Sequence, residues 1–420
     1  MLRAAADRGG GAGVGAGRPA LFAALPRRLG HGGLHDPGGT GRRGAPPRRR
    51  RDRPESAARA LSARTLEDCG LTARPAGLFV NVLYIDPAAV PELAEAPKAR
   101  AIMDGSGFRE RLQAARAAEL VDYRAVAELK RPVLEALFER FRQRHLGRES
   151  ARGRAFDAFR SVCGPALRRH AVFEALAERF EPGGGEAGSG WPEEYRSPDS
   201  PAVAAFAERH AERIAFFEYL QWLADEQFAQ AAGSARDGGL SVGLYRDLAI
   251  SSAGHGAEAW GNRGLHARGA SIGSPPDDFN LHGQDWGLPP LIPERLMESA
   301  YEPFIATLRW NMRHAGALRI DHVMGLMRLY WVPDGRSAEE GAYVHYPLYD
   351  LLGILALESR RNRCMVVGED LGTVPGRGAR RAGSGRGPVL PRALFRARGR
   401  RGLPGAGGLP RAGAGDGQHA

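Results

Sequence analysis

The chain has 420 residues, 43% of them hydrophobic, and 59 Lys and Arg against 48 Asp and Glu give it a formal charge of +11. That length accommodates two or three domains, or one large α/β barrel with insertions, and the apolar share suffices for a substantial core. Three scattered cysteines, Cys69, Cys163 and Cys364, fit neither a disulfide framework nor a zinc site, and no apolar run reaches the roughly 18 residues of a membrane span.

A reducing cytoplasm is therefore the expected location. Leu21–Leu25 is too short and too broken by Pro and Arg for a signal peptide. The charge is concentrated at the ends. Residues 1–77 hold 15 Arg against 6 acids and residues 376–420 hold 10 Arg against Asp416, +9 in each case, which leaves −7 for residues 78–375.

Residues 1–77 are rich in Gly, Arg, Pro and Ala, with no sustained apolar period. An Arg cluster of this kind binds nucleic acid electrostatically, or serves as an organelle transit peptide, or arises when a GC-rich gene is read in the wrong frame. The last is the expectation here. The stretch Gly11–Ala16 matches a dinucleotide fingerprint only formally, since no strand precedes it and no helix follows.

At Leu78 the character changes. LFVNVLYIDP predicts a strand that stops at Pro87. Asp122 is placed to cap a helix through Tyr123 and Val126, and a second helix is expected with Pro132 in its first turn. Leu134, Leu137, Phe138 and Phe141 form an i, i+3, i+4, i+7 stripe, the mark of a core-facing side. Gly183–Gly190 reads as a loop, and Ala202 to Gln230 as one long helix with Phe217, Leu220, Ala224 and Phe228 along one side.

From Gly238 the pattern becomes strand, loop and helix. Ser241–Ile250 predicts a strand with Asp247 near its carboxyl end. Gly269–Pro293 is long and rich in Gly, Pro, Asn and Asp, which predicts an irregular and functional loop. Glu294–Ala315 reads as helical and leads into GALRIDHVMGL, Gly316–Leu326. Arg319 and Asp321, two residues apart on a strand, point to one side, where a guanidinium keeps a nucleophilic carboxylate ionised. Alone, such a pair is more often structural. A second helical stretch, His345–Arg361, leads into CMVVGEDLGTVP, another apolar strand, ending in Glu369 and Asp370. Strands alternating with helices, with polar residues at strand carboxyl ends, predict a parallel α/β sheet or barrel. Residues 376–420 show no period that could bury a core.

Several of these stretches resemble the amylomaltases, or 4-α-glucanotransferases. They are LFVNVLYIDP, WPEEYR at Trp191–Arg196, GLYRDLAI at Gly243–Ile250, PPDDFNLHGQDWGLPP at Pro275–Pro290, RIDH at Arg319–His322, GAYVHYPLYDLLGILALES at Gly341–Ser359 and GEDLGTVP at Gly368–Pro375. The resemblance covers residues 78–375. It implies a (β/α)8 barrel, incomplete in this chain, with a largely helical insertion at about 88–235. By the resemblance Asp321 is the nucleophile, Glu369 the general acid/base and Arg319 the nucleophile's support. Asp247, Asp277, Gln284, Trp286 and His322 are implied as substrate contacts. The implied substrates are maltooligosaccharides and other α-1,4-glucans, with no cofactor, metal, nucleic acid or membrane. Apart from the resemblance, an ordinary packed tryptophan is the commoner reading of Trp286.

Two family features have no recognisable counterpart: a first strand before Leu78, and a third acid in a His-Asp pair, whose one match in this sequence is His35–Asp36. Frameshifts near residues 77 and 375 are therefore expected, and with them an unstable, inactive product. A maltodextrin hydrolase, a non-catalytic glucan-binding remnant and a nucleic-acid binder are the competing functions.

Overall fold

The computed structural model describes residues 77–180, 190–278 and 280–369. The expectations for the two basic ends, for Asp370 and for most of the 183–190 loop lie outside these residues.

The first core is helical. It is built by α1 (Pro97–Asp104), α2 (Ser106–Ala117), α3 (Tyr123–Arg144), α4 (Ala151–Phe180, broken at Gly164, φ 59° and ψ −148°), α5 (Pro201–Arg209) and α6 (Ala211–Asp237). Asp122 caps α3 by accepting the Ala125 N–H at 2.9 Å. The stripe Leu134, Leu137, Phe138 and Phe141 is buried, and Phe141 packs against Phe156, Tyr219 and Trp222. Each such side chain removed from water stabilises the fold by about 1.5–3 kcal/mol. That gain explains why Pro132 does not start a second helix. A proline inside a helix loses one hydrogen bond and costs about 3 kcal/mol, yet α3 runs through it with Leu129 and Val133 buried on either side. The long helix expected over 202–230 is likewise two, α5 and α6, because His210 leaves helical geometry (φ −112°, ψ 25°) and lays its ring 4.2 Å from that of Phe206.

The expected strand at 78–87 is instead a run of short 3-10 turns at Val82–Tyr84 and Pro87–Ala89. Helical side chains take the backbone groups that a neighbouring strand would have taken. Gln221 bonds both the N–H and the carbonyl of Val80, at 3.2 and 3.1 Å. Gln227 does the same for Asp86, at 2.8 and 2.9 Å. The Lys130 ammonium donates to the carbonyls of Leu83 and Ile85, at 2.7 Å each.

The second core holds the strands β1 (Tyr245–Leu248), β2 (Ala270–Ser274), β3 (Gln284–Leu288), β4 (Ala317–Ile320), β5 (Arg328–Pro333), β6 (Ala342–His345) and β7 (Met365–Gly368). β1, β4 and β7 form a parallel sheet in that order, and β3-β2-β5-β6 an antiparallel one. Helix α7 (Ala257–Gly261) follows β1. Helices α8 (Pro293–Glu298) and α9 (Glu302–Met312) precede β4, and α10 (Leu348–Asn362) precedes β7. Leu318, Ile320 and Val366 pack with Leu308, Met312, Leu351 and Leu355.

Two expectations are corrected here. The helical stretch before β4 divides at Ala300 and Tyr301, both left-handed. The Gly269–Pro293 segment is not irregular throughout but contains the β2–β3 hairpin. Its glycines permit the hairpin's close pairing, since a Cβ on Gly273 would stand 2.0 Å from the Gln284 carbonyl oxygen. The architecture is thus α/β with mixed sheets, and the antiparallel sheet interrupts the parallel alternation twice, with β2 and β3 between β1 and β4 and with β5 and β6 between β4 and β7. Among the described residues no helix is long and apolar enough to cross a membrane.

Candidate active site

Parallel pairing places Asp247 opposite Arg319 and Ile320 opposite Gly368. The ladder continues one residue beyond the strand ends, where the Asp321 N–H donates to the Leu248 carbonyl and the Glu369 N–H to the Ile320 carbonyl, both at 2.9 Å. Asp321 and Glu369 therefore stand at neighbouring strand tips, about 4.8 Å apart in main-chain spacing.

Arg319 draws the acids together. Its Nη1 lies 2.6 Å from Asp247 Oδ1, and its Nη2 lies 2.8 Å from Asp321 Oδ1 and 3.5 Å from Glu369 Oε2. Sharing one nitrogen caps the separation of those two oxygens at the sum of the last two distances. That closeness admits the about 5–5.5 Å between carboxyl groups that retaining glycosidases use.

The electrostatics qualify the expectation that Arg319 simply keeps Asp321 ionised. Burial pushes the Asp321 carboxyl above the usual aspartate range, Arg319 pulls it down, and Glu369 and Asp247 push it up again. Burial also works against the Arg319 charge, but its bonds to Asp247 and Asp321 hold its pKa above the ordinary value. Tyr245 lies two residues before Asp247 on β1, and burial, with the Asp247 charge, raises its hydroxyl while Arg319 opposes.

After Asp321 the chain turns sharply. His322 is left-handed (φ 48°, ψ 60°), and its N–H donates to Glu369 Oε2 at 2.9 Å. The His322 ring meets Trp286 edge to face, centroids 5.5 Å apart and planes at 79°. Trp286 Nε1–H in turn donates to Gln284 Oε1 at 2.8 Å, so β3 brings both residues to the site. Asp277 is engaged within the hairpin tip, where its Oδ1 accepts the Asn280 N–H at 2.7 Å and its own N–H donates to the Asn280 carbonyl. The structure thus gathers Asp247, Arg319, Asp321, Glu369 and His322, with Trp286 and Gln284 joined through the His322 ring. Among the described residues no group of His, Cys, Asp and Glu is arranged to hold a metal.

Sequence reasoning missed Tyr245 and the His322 amide. The two-residue period that pairs Arg319 with Asp321 would have found Tyr245 beside Asp247. The amide carries no side-chain signal at all.

Comparison with known proteins places the chain in a family. The sequence model of the 4-alpha-glucanotransferase family matches residues 75–380. The 4-alpha-glucanotransferase of Mycobacterium tuberculosis is 41% identical over 301 residues, covering 70% of this chain and 39% of that protein. The Haemophilus influenzae 4-alpha-glucanotransferase is 37% identical over 305 residues, covering 71% and 43% respectively. The crystal structure of amylomaltase from Corynebacterium glutamicum superposes with a TM-score of 0.63 at 32% identity, covering 74% of this chain and 41% of that one. An amylomaltase from Streptococcus agalactiae in complex with acarbose shares the fold, with a TM-score of 0.60 at 22% identity over 76% of this chain and 62% of that one. The chain spans about two fifths of the length of these curated relatives. With the family model matching well over half of its residues, this chain belongs to the 4-alpha-glucanotransferase family.

Proposed function

We propose that this chain carries the bond-breaking centre of a 4-α-glucanotransferase that moves α-1,4-glucan segments between maltooligosaccharides with retention of configuration. The single observation that carries the reading is the Asp321–Arg319–Glu369 arrangement, two acids on neighbouring strand tips bridged by one guanidinium nitrogen.

In the proposed first step an Asp321 oxygen forms a bond to the anomeric carbon as the C1–O4 bond breaks, and Glu369 gives its proton to the departing 4-oxygen. The leaving sugar departs with that proton, and a covalent glucosyl-enzyme remains. In the second step Glu369, now a carboxylate, takes the proton of an incoming 4-hydroxyl, whose oxygen displaces Asp321. Arg319 offsets the gathered negative charge in both steps. Trp286 and Gln284, on β3, and Asp277, at the hairpin tip, form the acceptor side, with Trp286 as a platform for a sugar ring. The transferase outcome rests on that hairpin favouring a sugar over water at the intermediate. β1, β4 and β7 are read as three consecutive strands of an incomplete (β/α)8 barrel, with the helical core as its insertion. A cytoplasmic location follows from the same reading.

The test is the full chain with maltotriose alone. Glucose together with a ladder of longer oligosaccharides is the outcome of this reading, against the inactive product expected from the sequence alone, and Asp321→Asn or Glu369→Gln is expected to abolish the ladder. Glucose without a ladder would replace the reading with a hydrolase. Oligosaccharide binding that survives both substitutions, with no turnover in the unaltered chain, would replace it with a binding role.

A further inference from the structure

The left-handed residue after the proposed nucleophile has a consequence for the acid/base. We infer that the main-chain amide of His322 is the positioning group for Glu369. It holds one oxygen of that carboxyl at the tip of β4, so that the other faces the bond to be broken. The inference rests on the glucanotransferase reading and assigns a task that neither the motif nor the side chains carry.

The geometry is specific. A residue in ordinary extended or helical conformation at 322 would carry the following chain, and with it the Val323 amide, away from β7. The 321–322 peptide turns the His322 N–H across the sheet, where it donates to Glu369 Oε2 at 2.9 Å, and φ 48° and ψ 60° at His322 turn the chain that follows. The next amide locks the turn, because the Val323 N–H donates to the Glu369 main-chain carbonyl at 2.8 Å. The turn is packed tightly from β7, since a Cβ on Gly368 would meet the Val323 side chain at 2.8 Å. Oε2 also faces Arg319 Nη2 at 3.5 Å, whereas Oε1 makes no hydrogen bond among the described residues. The carboxyl is thus fixed through one oxygen and presented through the other. Its position relative to Asp321 is set by a single peptide unit, that between residues 321 and 322.

The His322 ring has a separate task against Trp286, so amide and ring are separable by substitution. Glycine keeps the left-handed backbone and the amide but removes the ring. Valine, β-branched, is driven out of the left-handed region, which breaks the Val323 tie to residue 369 and frees the 321–322 peptide to swing.

Two measurements on the full chain decide the matter. The first is independent of turnover. In residue-resolved amide hydrogen exchange, Glu369→Ala is expected to accelerate exchange at His322 by at least about tenfold while Val323, bonded to the main chain of residue 369, stays protected. Unchanged protection at His322, or equal loss at both amides, would overturn the proposal. The second compares maltotriose with α-maltosyl fluoride. The fluoride's C1–F bond breaks as Asp321 attacks, and fluoride leaves with the bonding pair and needs no proton. Relative to His322→Gly, His322→Val is expected to turn over maltotriose about 100-fold more slowly yet release the first-turnover burst of fluoride at a rate within about threefold. Equal losses on both donors would make residue 322 merely structural and overturn the proposal. Normal amide protection with no fluoride release from the unaltered chain would overturn the glucanotransferase reading and leave the amide contact standing.

Discussion

Gly316 is the position where one added methyl group tests the sheet that carries the site. Its N–H donates to the Leu244 carbonyl and its carbonyl accepts from the Met365 N–H, both at 2.9 Å, so it ties β4 to both neighbours at the bottom of the sheet. A Cβ built there lies 1.4 Å from the Val242 carbonyl oxygen and 2.6 Å from its carbon. Both are main-chain atoms and cannot rotate away. To restore a contact of about 3 Å, β4 and the chain leading into β1 must part by more than about 1 Å, a strain at the upper end of the about 1–3 kcal/mol that overpacking costs. At about 2–4 °C per kcal/mol for a unit of this size, Gly316→Ala is expected to lower the melting midpoint by about 4–12 °C. The same displacement shifts Arg319 against Asp247, and a misplacement of about 1 Å costs about 100-fold in rate. Thermal unfolding followed by circular dichroism, with the maltotriose ladder as the activity readout, measures both. Gly353→Ala is the control. Gly353 is exposed in α10 with nothing within 4 Å of an added Cβ, and its replacement is expected to stabilise by about 0.5–1 kcal/mol. A Gly316→Ala protein with an unchanged midpoint would refute the packing described for β1 and β4.

His170 is buried beside Phe79 and Gln221, and burial lowers its pKa to about 4. The folded chain therefore refuses a proton that the unfolded chain takes near pH 6.5. Stability is complete above that pH and falls by up to about 3 kcal/mol as the pH drops towards 4. His170→Leu is expected to flatten that slope in urea titrations at pH 7.5 and 5, whatever its effect at neutral pH. Arg319→Gln removes the charge that opposes the upward push on Asp321, so the acid limb of fluoride release from α-maltosyl fluoride is expected to move to higher pH. An unmoved limb would separate Arg319 from the nucleophile. Trp286→Ala removes the ring that meets His322 and is expected to raise the ratio of free glucose to transfer products. An unchanged ratio would remove Trp286 from the acceptor side.

The parts of the fold that were legible in the sequence are those set by local chemistry and period. Asp122 caps α3 as its position suggests, the Leu134–Phe141 stripe is core, and Leu318 and Ile320 flank an Arg319 that reaches the same side as Asp321. What was illegible depends on partners distant in sequence. Val80 to Asp86 has strand-like composition, yet its amides and carbonyls are met by Gln221, Lys130 and Gln227, and composition does not reveal which partner a backbone group will find. Gly273 reads as a breaker and serves as the point of closest approach in the β2–β3 pair, because a glycine's role depends on the strand opposite it. The four-stranded antiparallel sheet, and with it the route by which Trp286 reaches His322, follows from pairings that no single segment encodes.

The most direct measurement is to trap the covalent intermediate. The full chain carrying Glu369→Gln is incubated with α-maltosyl fluoride, digested and sequenced by mass spectrometry. The fluoride leaves without help from an acid, while the missing base slows the second step. A maltosyl group esterified to Asp321 is the expected result. A maltosyl group on Asp247 or on any other residue, or fluoride release with no adduct under conditions that stop turnover, would contradict the assignment of Asp321 and Glu369 on which this account stands.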